Sequence, residues 1–345
     1  MTEIWTQEEI AALSEKFRIK DDVQMHDQAQ NYHFPRLSFL KDGYSPPGGY
    51  VKDFGVIRHE GRLHVFHIDG RPGEHCLTTG NEISFGHIST TDLCHWIRHP
   101  MPLAVGDRPW ESEHVWAPYV YRRDGLFYMF YMGKGQGQTF ISYATSPDME
   151  KWTRWKDGPI TCAIGRDPFI FEDEDRIILV YTNRLGPHVS ACASKDMLSW
   201  DSLPHILTVL DGKALESPSL HPLKNGYILW FNDFGKEWAP CRAAYAFSED
   251  PFHFEAESIK EFEFQTDCPD AVPSPELRTT KLFPISIELI AHGKKNWLVS
   301  YFRWQGDRNR LFFGEIDWSS DPAIIREITD LKQLEKSLIS CHFAL

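Results

Sequence analysis

Lys52-Asp53-Phe54-Gly55-Val56-Ile57-Arg58-His59-Glu60-Gly61-Arg62-Leu63-His64-Val65-Phe66-His67 reads as an acidic residue, a strand, a Gly turn and a second strand. The pattern returns downstream. Arg166-Asp167-Pro168-Phe169-Ile170-Phe171 runs through Asp173 and Asp175 into Ile177-Ile178-Leu179-Val180-Tyr181. Leu215-Glu216-Ser217-Pro218-Ser219-Leu220 runs through Lys224-Asn225-Gly226 into Tyr227-Ile228-Leu229-Trp230-Phe231. In these copies a carboxylate stands two or three residues ahead of the first strand. Two more copies lack the acid. One begins at Tyr119 and turns at Gly125 into Phe127–Tyr131; the other begins at Ile287 and turns at Gly293 into Trp297–Tyr301. Runs of β-branched and aromatic residues between Gly, Asp and Asn are strand signals.

A closing phrase follows each unit: a small residue, an acid, then an aromatic. It reads Ser89-Thr90-Thr91-Asp92 to Trp96, Ala144-Thr145-Ser146-Pro147-Asp148 to Trp152, and Ala193-Ser194-Lys195-Asp196 to Trp200. A weaker copy runs from Phe247 to Phe254. The interval is about fifty residues, which marks a repeat architecture. Five copies with room for four antiparallel strands each predict an all-β fold, a single five-bladed β-propeller. A β-sandwich would not require the same closing phrase each time. Residues 1–50 are expected to be a lead-in packed on the propeller, with a short N-terminal helix at 7–17 behind a Thr6/Glu9 capping box. Residues 51–345 are expected to be the propeller, with another helix near 329–337 and no second domain after 320.

Composition narrows the function. The 345 residues carry a formal net charge of −13, dispersed along the chain, which disfavours nucleic acid and anionic membranes as partners. No apolar run is long enough to span a bilayer. The 7 cysteines include no Cys-x-x-Cys pair and the N-terminus lacks an apolar signal segment. A cytoplasmic location is therefore the expectation. Aromatics make up 14 %, which suits both a β core and a sugar-binding cleft.

In a propeller the innermost strands begin near a central channel, so Asp53, Asp167 and Glu216 should converge at one mouth. Crowded, buried carboxyls separate in pKa, and one can then protonate a leaving oxygen while another attacks carbon or activates water. Glycoside hydrolysis needs that pair. Trp116 and Trp238 are placed as sugar-stacking platforms, whereas Trp96, Trp152, Trp200 and Trp318 are assigned to packing between blades. His95 and His99 have a metal-ligand spacing on a helix but lie at a strand end, so no metal and no cofactor are expected. The glycine-rich Lys134–Gln138 stretch is not followed by a helix, which argues against a phosphate loop.

At this point the chain resembles a known group. Tyr32-His33-Phe34, Lys52-Asp53-Phe54-Gly55, Phe85-Gly86-His87 through Trp96, Arg166-Asp167-Pro168 and Glu216-Ser217-Pro218 look like the ordered landmarks of glycoside hydrolase family 32. That family comprises the β-fructosidases: invertases, inulinases and levanases. Val115-Trp116-Ala117-Pro118 looks more like family 43, the arabinanases, arabinofuranosidases and xylosidases. The resemblance implies a five-bladed propeller acting on an oligosaccharide. It implies Asp53 as nucleophile or general base, Asp167 as transition-state stabiliser or pKa tuner, and Glu216 as general acid. Arg166 would hydrogen-bond sugar hydroxyls, and His87 and Lys52 complete the expected substrate-binding set. Lys52 and Phe54 flank Asp53 where family 32 has Asn before and Pro-Asn after, and Ser217 replaces its Cys. A β-fructoside-like furanoside is the expected substrate. The alternatives are a family-43-like inverting arabinofuranosidase or xylosidase, a non-catalytic carbohydrate-binding propeller, and a phosphorylase drawing on Lys52, Arg166 and Arg303.

Overall fold

The computed structural model describes residues 40–93, 95–209, 214–235, 241–273 and 280–341. The helix expected at 7–17 lies outside them.

The repeat folds as five antiparallel sheets. Blade one is β1 (Tyr50–His59), β2 (Arg62–Gly70), β3 (Ser84–Thr90) and β4 (Trp96–Arg98). Blade two is β5 (His114–Arg123), β6 (Leu126–Gly135), β7 (Gln138–Ser146) and β8 (Thr153–Arg154). Blade three is β9 (Gly165–Asp173), β10 (Arg176–Asn183), β11 (His188–Ser194) and β12 (Asp201–Ser202), with β13 (Leu207–Thr208) also on β11. Blade four is β14 (Leu215–Leu223), β15 (Gly226–Asp233), β16 (Arg242–Ser248) and β17 (Lys260–Glu261). Blade five follows β18 (Glu263–Gln265) and comprises β19 (Ile285–His292), β20 (Asn296–Gln305), β21 (Arg308–Asp317) and β22 (Ile324–Glu327). β18 adds to its outer edge in parallel with β22. Each blade is a meander in which consecutive strands pair.

The inner strands β1, β5, β9, β14 and β19 contact one another in that cyclic order, and β19 returns to β1. Each blade face is apolar and packs on its neighbour. The closing aromatics supply much of that contact. Trp96 stacks on Phe313 of blade five, Trp152 meets Phe66 of blade one edge-on, and Trp200 does the same to Phe130 of blade two. Phe254 of blade four bridges to Leu207 of blade three, and Trp318 of blade five packs on Tyr245 of blade four. All five reach back to the preceding blade, as expected for the four tryptophans.

The acid of the closing phrase also has a local cause. Asp148 Oδ1 accepts the backbone N–H groups of Glu150 and Lys151, and Asp196 Oδ1 those of Leu198 and Ser199. Such Asx turns let the chain reverse between the third and fourth strands. Helix α1 (Leu331–Ser340) opens on Asp330, whose side chain accepts the Gln333 N–H while Gln333 Oε1 accepts that of Thr329. Its Leu334 is buried in the core shared by blades one and five.

Candidate active site

The three acids lie inside the inner strands, not ahead of them, because every inner strand starts earlier than the apolar pattern suggests and bulges near its start. Pairing slips between Lys52 and Phe54, Trp116 and Tyr119, Glu216 and Ser219, and Ile285 and Glu288. In blade three the slip falls opposite Asp167-Pro168. A bulge inserts one residue and re-aims its side chain. Four of the inserted residues are left-handed although none is glycine: Ala117 (φ 49°), Asp167 (φ 56°), Ser217 (φ 50°) and Ser286 (φ 52°). Non-glycine residues held at positive φ concentrate at functional sites.

The register sorts the mouth into rings. Asp53, Ala117, Asp167, Ser217 and Ser286 form the bulge ring. One residue earlier stand Lys52, Trp116, Arg166, Glu216 and Ile285. Glu216 therefore sits one position off Asp53 and Asp167, an offset invisible in the unaligned repeat. Two residues beyond the bulge come Gly55, Tyr119, Phe169, Ser219 and Glu288. A cavity of about 270 Å³, counting its open mouth, is lined by the whole bulge ring together with Tyr119 and Glu288.

Arg166 binds the acids together. Its Nη1 lies 2.9 Å from Glu216 Oε1, its Nε 3.8 Å from Asp167 Oδ2, and its Nη2 donates to the Leu215 carbonyl at 3.2 Å. Asp167 Oδ2 also accepts the Ser217 backbone N–H at 2.9 Å, which joins blade three to blade four. Burial, followed by the charges of Asp167 and Glu216, pushes the Asp53 carboxyl well above the usual range, and Lys52 pulls the other way. Burial raises Asp167 as well, opposed by Arg166 and the Ser217 N–H. Those two supports favour the ionised form of Asp167, so Asp53 is the acid of this pair that holds a proton first.

The remaining expected residues divide. Lys52 is at the mouth, 3.5 Å from Glu82 Oε1, and Glu82 also accepts from Tyr50 Oη at 2.6 Å. Trp116 is in the ring of Arg166 and Glu216, partly buried and stacked on His114 at 4.8 Å. Trp238 lies outside the described residues. His87 is not brought to the mouth. It is buried on β3, bonded to His64 at 2.9 Å and stacked between Phe66 and His99. Arg303 is likewise withdrawn from any phosphate pocket. It is 1 % exposed, bonded through two nitrogens to Glu327 at 2.6 Å, and lies over the Phe312 ring.

His64, His87 and His99 each bring one nitrogen within 4.8 Å of the others. The sequence spacing suggested only His95 with His99, a pair set aside because it lies at a strand end. The His87 and His99 rings are 4.1 Å apart and 19° from parallel, so their lone pairs run side by side and do not meet at a point. One ring would have to rotate before the three could share an ion. Glu288 was missed by motif reading, and Ser217 and Ser286 were given no role at the site. Their signal was position in the repeat, since Ser286-x-Glu288 falls in register with Ser217-x-Ser219.

A five-bladed propeller with three carboxylates and an arginine at one channel mouth defines a class of carbohydrate-active folds. Residues 44–267 match the glycosyl hydrolases family 32 N-terminal domain, and the chain belongs to that family. It is 28 % identical over 215 residues to the sucrose-6-phosphate hydrolase of Bacillus subtilis (strain 168), covering 56 % of this chain and 43 % of the relative. It is 30 % identical over 98 residues to xylosidase/arabinosidase 43A of Humicola insolens, covering 28 % of this chain and 30 % of the relative. The chain thus spans less than half the length of these curated relatives. Among solved structures, the Bombyx mori GH32 beta-fructofuranosidase superposes with a TM-score of 0.59 at 16 % identity, covering 91 % of this chain and 68 % of that one. A GH43_1 enzyme from Xanthomonas citri superposes with 0.62 at 14 % identity, covering 88 % and 95 %. At such identities the superpositions establish the fold.

Proposed function

We propose that the protein is a glycoside hydrolase that cleaves a furanoside, first of all a β-fructoside, in an oligosaccharide. The observation that carries this is the meeting of Asp53, Asp167 and Glu216 around Arg166 at one mouth. In this reading Glu216 protonates the leaving oxygen, Asp53 acts as nucleophile or base, and Asp167 with Arg166 orients the glycosyl unit and steadies its developing charge. Arg166 suits the last task because its donor fork is fixed and always charged. The sucrose-6-phosphate hydrolase, levanase and beta-fructofuranosidase relatives support the fructoside. The Trp116-Ala117-Pro118 bulge and the xylosidase/arabinosidase relative support a second reading, an arabinofuranoside or xyloside.

A hydrolysis screen with fructosides, arabinofuranosides and xylosides separates the two. Glu216→Gln should then fold normally and lose about 10²–10⁴ in kcat, the usual contribution of a general acid. Retained turnover in that variant would sink the assignment of Glu216. Sugar binding without turnover on any substrate would leave a carbohydrate-binding propeller.

A further inference from the structure

The channel holds a fourth carboxyl. Glu288 of blade five is 9 % exposed and lines the same cavity as Asp53 and Asp167. Among the described residues its carboxyl has no hydrogen-bond partner and no countercharge; the group that feels it is the phenol of the partly buried Tyr119. Ser217 Oγ, in the same lining, is also buried without a partner. Leaving a buried polar group unsatisfied costs about 1–3 kcal/mol, so the Ser217 hydroxyl, sharing one space with an unpaired carboxyl, points to an occupant.

The chemistry of the two groups selects the occupant. Burial pushes the Glu288 carboxyl well above the usual range, which favours its neutral form, and a neutral carboxyl offers both a donor and an acceptor. A serine hydroxyl has the same double character. An anion is disfavoured by Asp53, Asp167 and Glu216 overhead. A cation is disfavoured as well, because among the described residues no three metal-ligating side chains come within reach of one another at this cavity. A sugar hydroxyl donates and accepts at once and arrives through the mouth where the acids work.

We propose that Glu288 and Ser217 Oγ form the floor of the glycosyl pocket and bind one hydroxyl of the sugar held between Asp53 and Glu216. This rests on the glycosidase reading and deepens it. Glu288 is a specificity-determining residue, in contact with substrate but outside the proton transfers.

The test uses the full chain and the aryl glycoside found in the screen, with its mono-deoxy analogues. Glu288→Leu should lower kcat/KM 10–100-fold on the parent glycoside, and Glu288→Gln, which keeps a donor and an acceptor, should recover most of that loss. For one deoxy analogue, wild type and Glu288→Leu should be equal, because the hydroxyl concerned is gone. Equal kcat/KM for wild type and Glu288→Leu on the parent glycoside would overturn the proposal, since the floor would then hold only water. If Glu288→Leu fails to fold, the wild type decides alone: discrimination below about threefold against every deoxy analogue overturns the proposal equally. Calorimetry with fructose, arabinose and xylose separates this from the parent reading. Monosaccharide binding that is lost in Glu288→Leu, in a protein without turnover, keeps the floor and removes the hydrolase. Turnover indifferent to Glu288 keeps the hydrolase and removes the floor.

Discussion

At the scale of residues, the pH behaviour of the site follows from one asymmetry. Asp53 can attack or accept a proton only when ionised, and its carboxyl is raised chiefly by burial and then by Asp167 and Glu216. Activity should therefore rise with pH through a value above the ordinary carboxylate range. Asp167→Asn removes the largest charge acting on Asp53, so the acid limb of kcat/KM should move to lower pH even as the rate falls. A pH–rate profile of both proteins checks this, and an unmoved limb would mean that Asp53 does not set it. Asp53, Asp167 and Glu216 could be read from the sequence because each sits in a repeat. The one-residue offset of Glu216 could not, since a bulge leaves no mark on apolar alternation. Glu288 escaped because it stands inside the apolar run of its strand, two residues past the bulge, and not at the place the other acids hold in the repeat. His87 was misplaced for a related reason: a motif says that a residue recurs, not which way it faces, and β3 turns this one into blade one.

At the scale of elements, the junctions between blades decide stability. Gly55 lies where β1 approaches β5 closely. A Cβ there would meet the Pro118 carbonyl oxygen at 2.6 Å and the Tyr119 Cα at 2.9 Å. Both are backbone atoms, so the strands themselves must part. Gly55→Ala should destabilise by about 1–3 kcal/mol, the range for overpacking, and should widen the channel mouth. Trp96 is 2 % exposed and stacks on Tyr44 and Phe313, tying the first blade to the last. Trp96→Ala should cost about 3–5 kcal/mol in chemical denaturation, as large aromatic truncations do. A loss under 1 kcal/mol would show that the ring closes by other means. The closing phrase made these contacts legible in advance, because an aromatic at a fixed place in each repeat must meet the same kind of neighbour. β18 was not legible: Glu263-Phe264-Gln265 is too short and too polar to read as a strand, and it pairs only because β22 leaves an edge open.

At the scale of the whole molecule, buried imidazoles govern acid stability. Burial lowers His64, His87 and His221 well below 6.5, lowers His67, and brings His99 and His292 to about 4. The unfolded chain binds protons on these groups near 6.5 while the folded one does not. Their contribution is complete above that value and is lost as pH falls from 6.5 toward 4. Asp53, Asp167 and Glu288 are raised and act in the opposite sense, favouring the fold as pH drops. These imidazoles outnumber the three carboxyls, so the denaturation midpoint should be lower at pH 5 than at pH 7, and the gap should widen in Glu288→Leu. A midpoint flat across that interval would contradict the burial of these rings.

The fivefold recurrence of the bulge has a further consequence. It turns the channel rim into a set of comparable sockets, four of which hold their residue in the same left-handed pose. Three blades spend theirs on Ala117, Ser217 and Ser286, residues without charge. New chemistry can thus be installed by a single codon in one of these seats, with the scaffold untouched, and an aspartate at 117 would face the existing acids from the neighbouring blade.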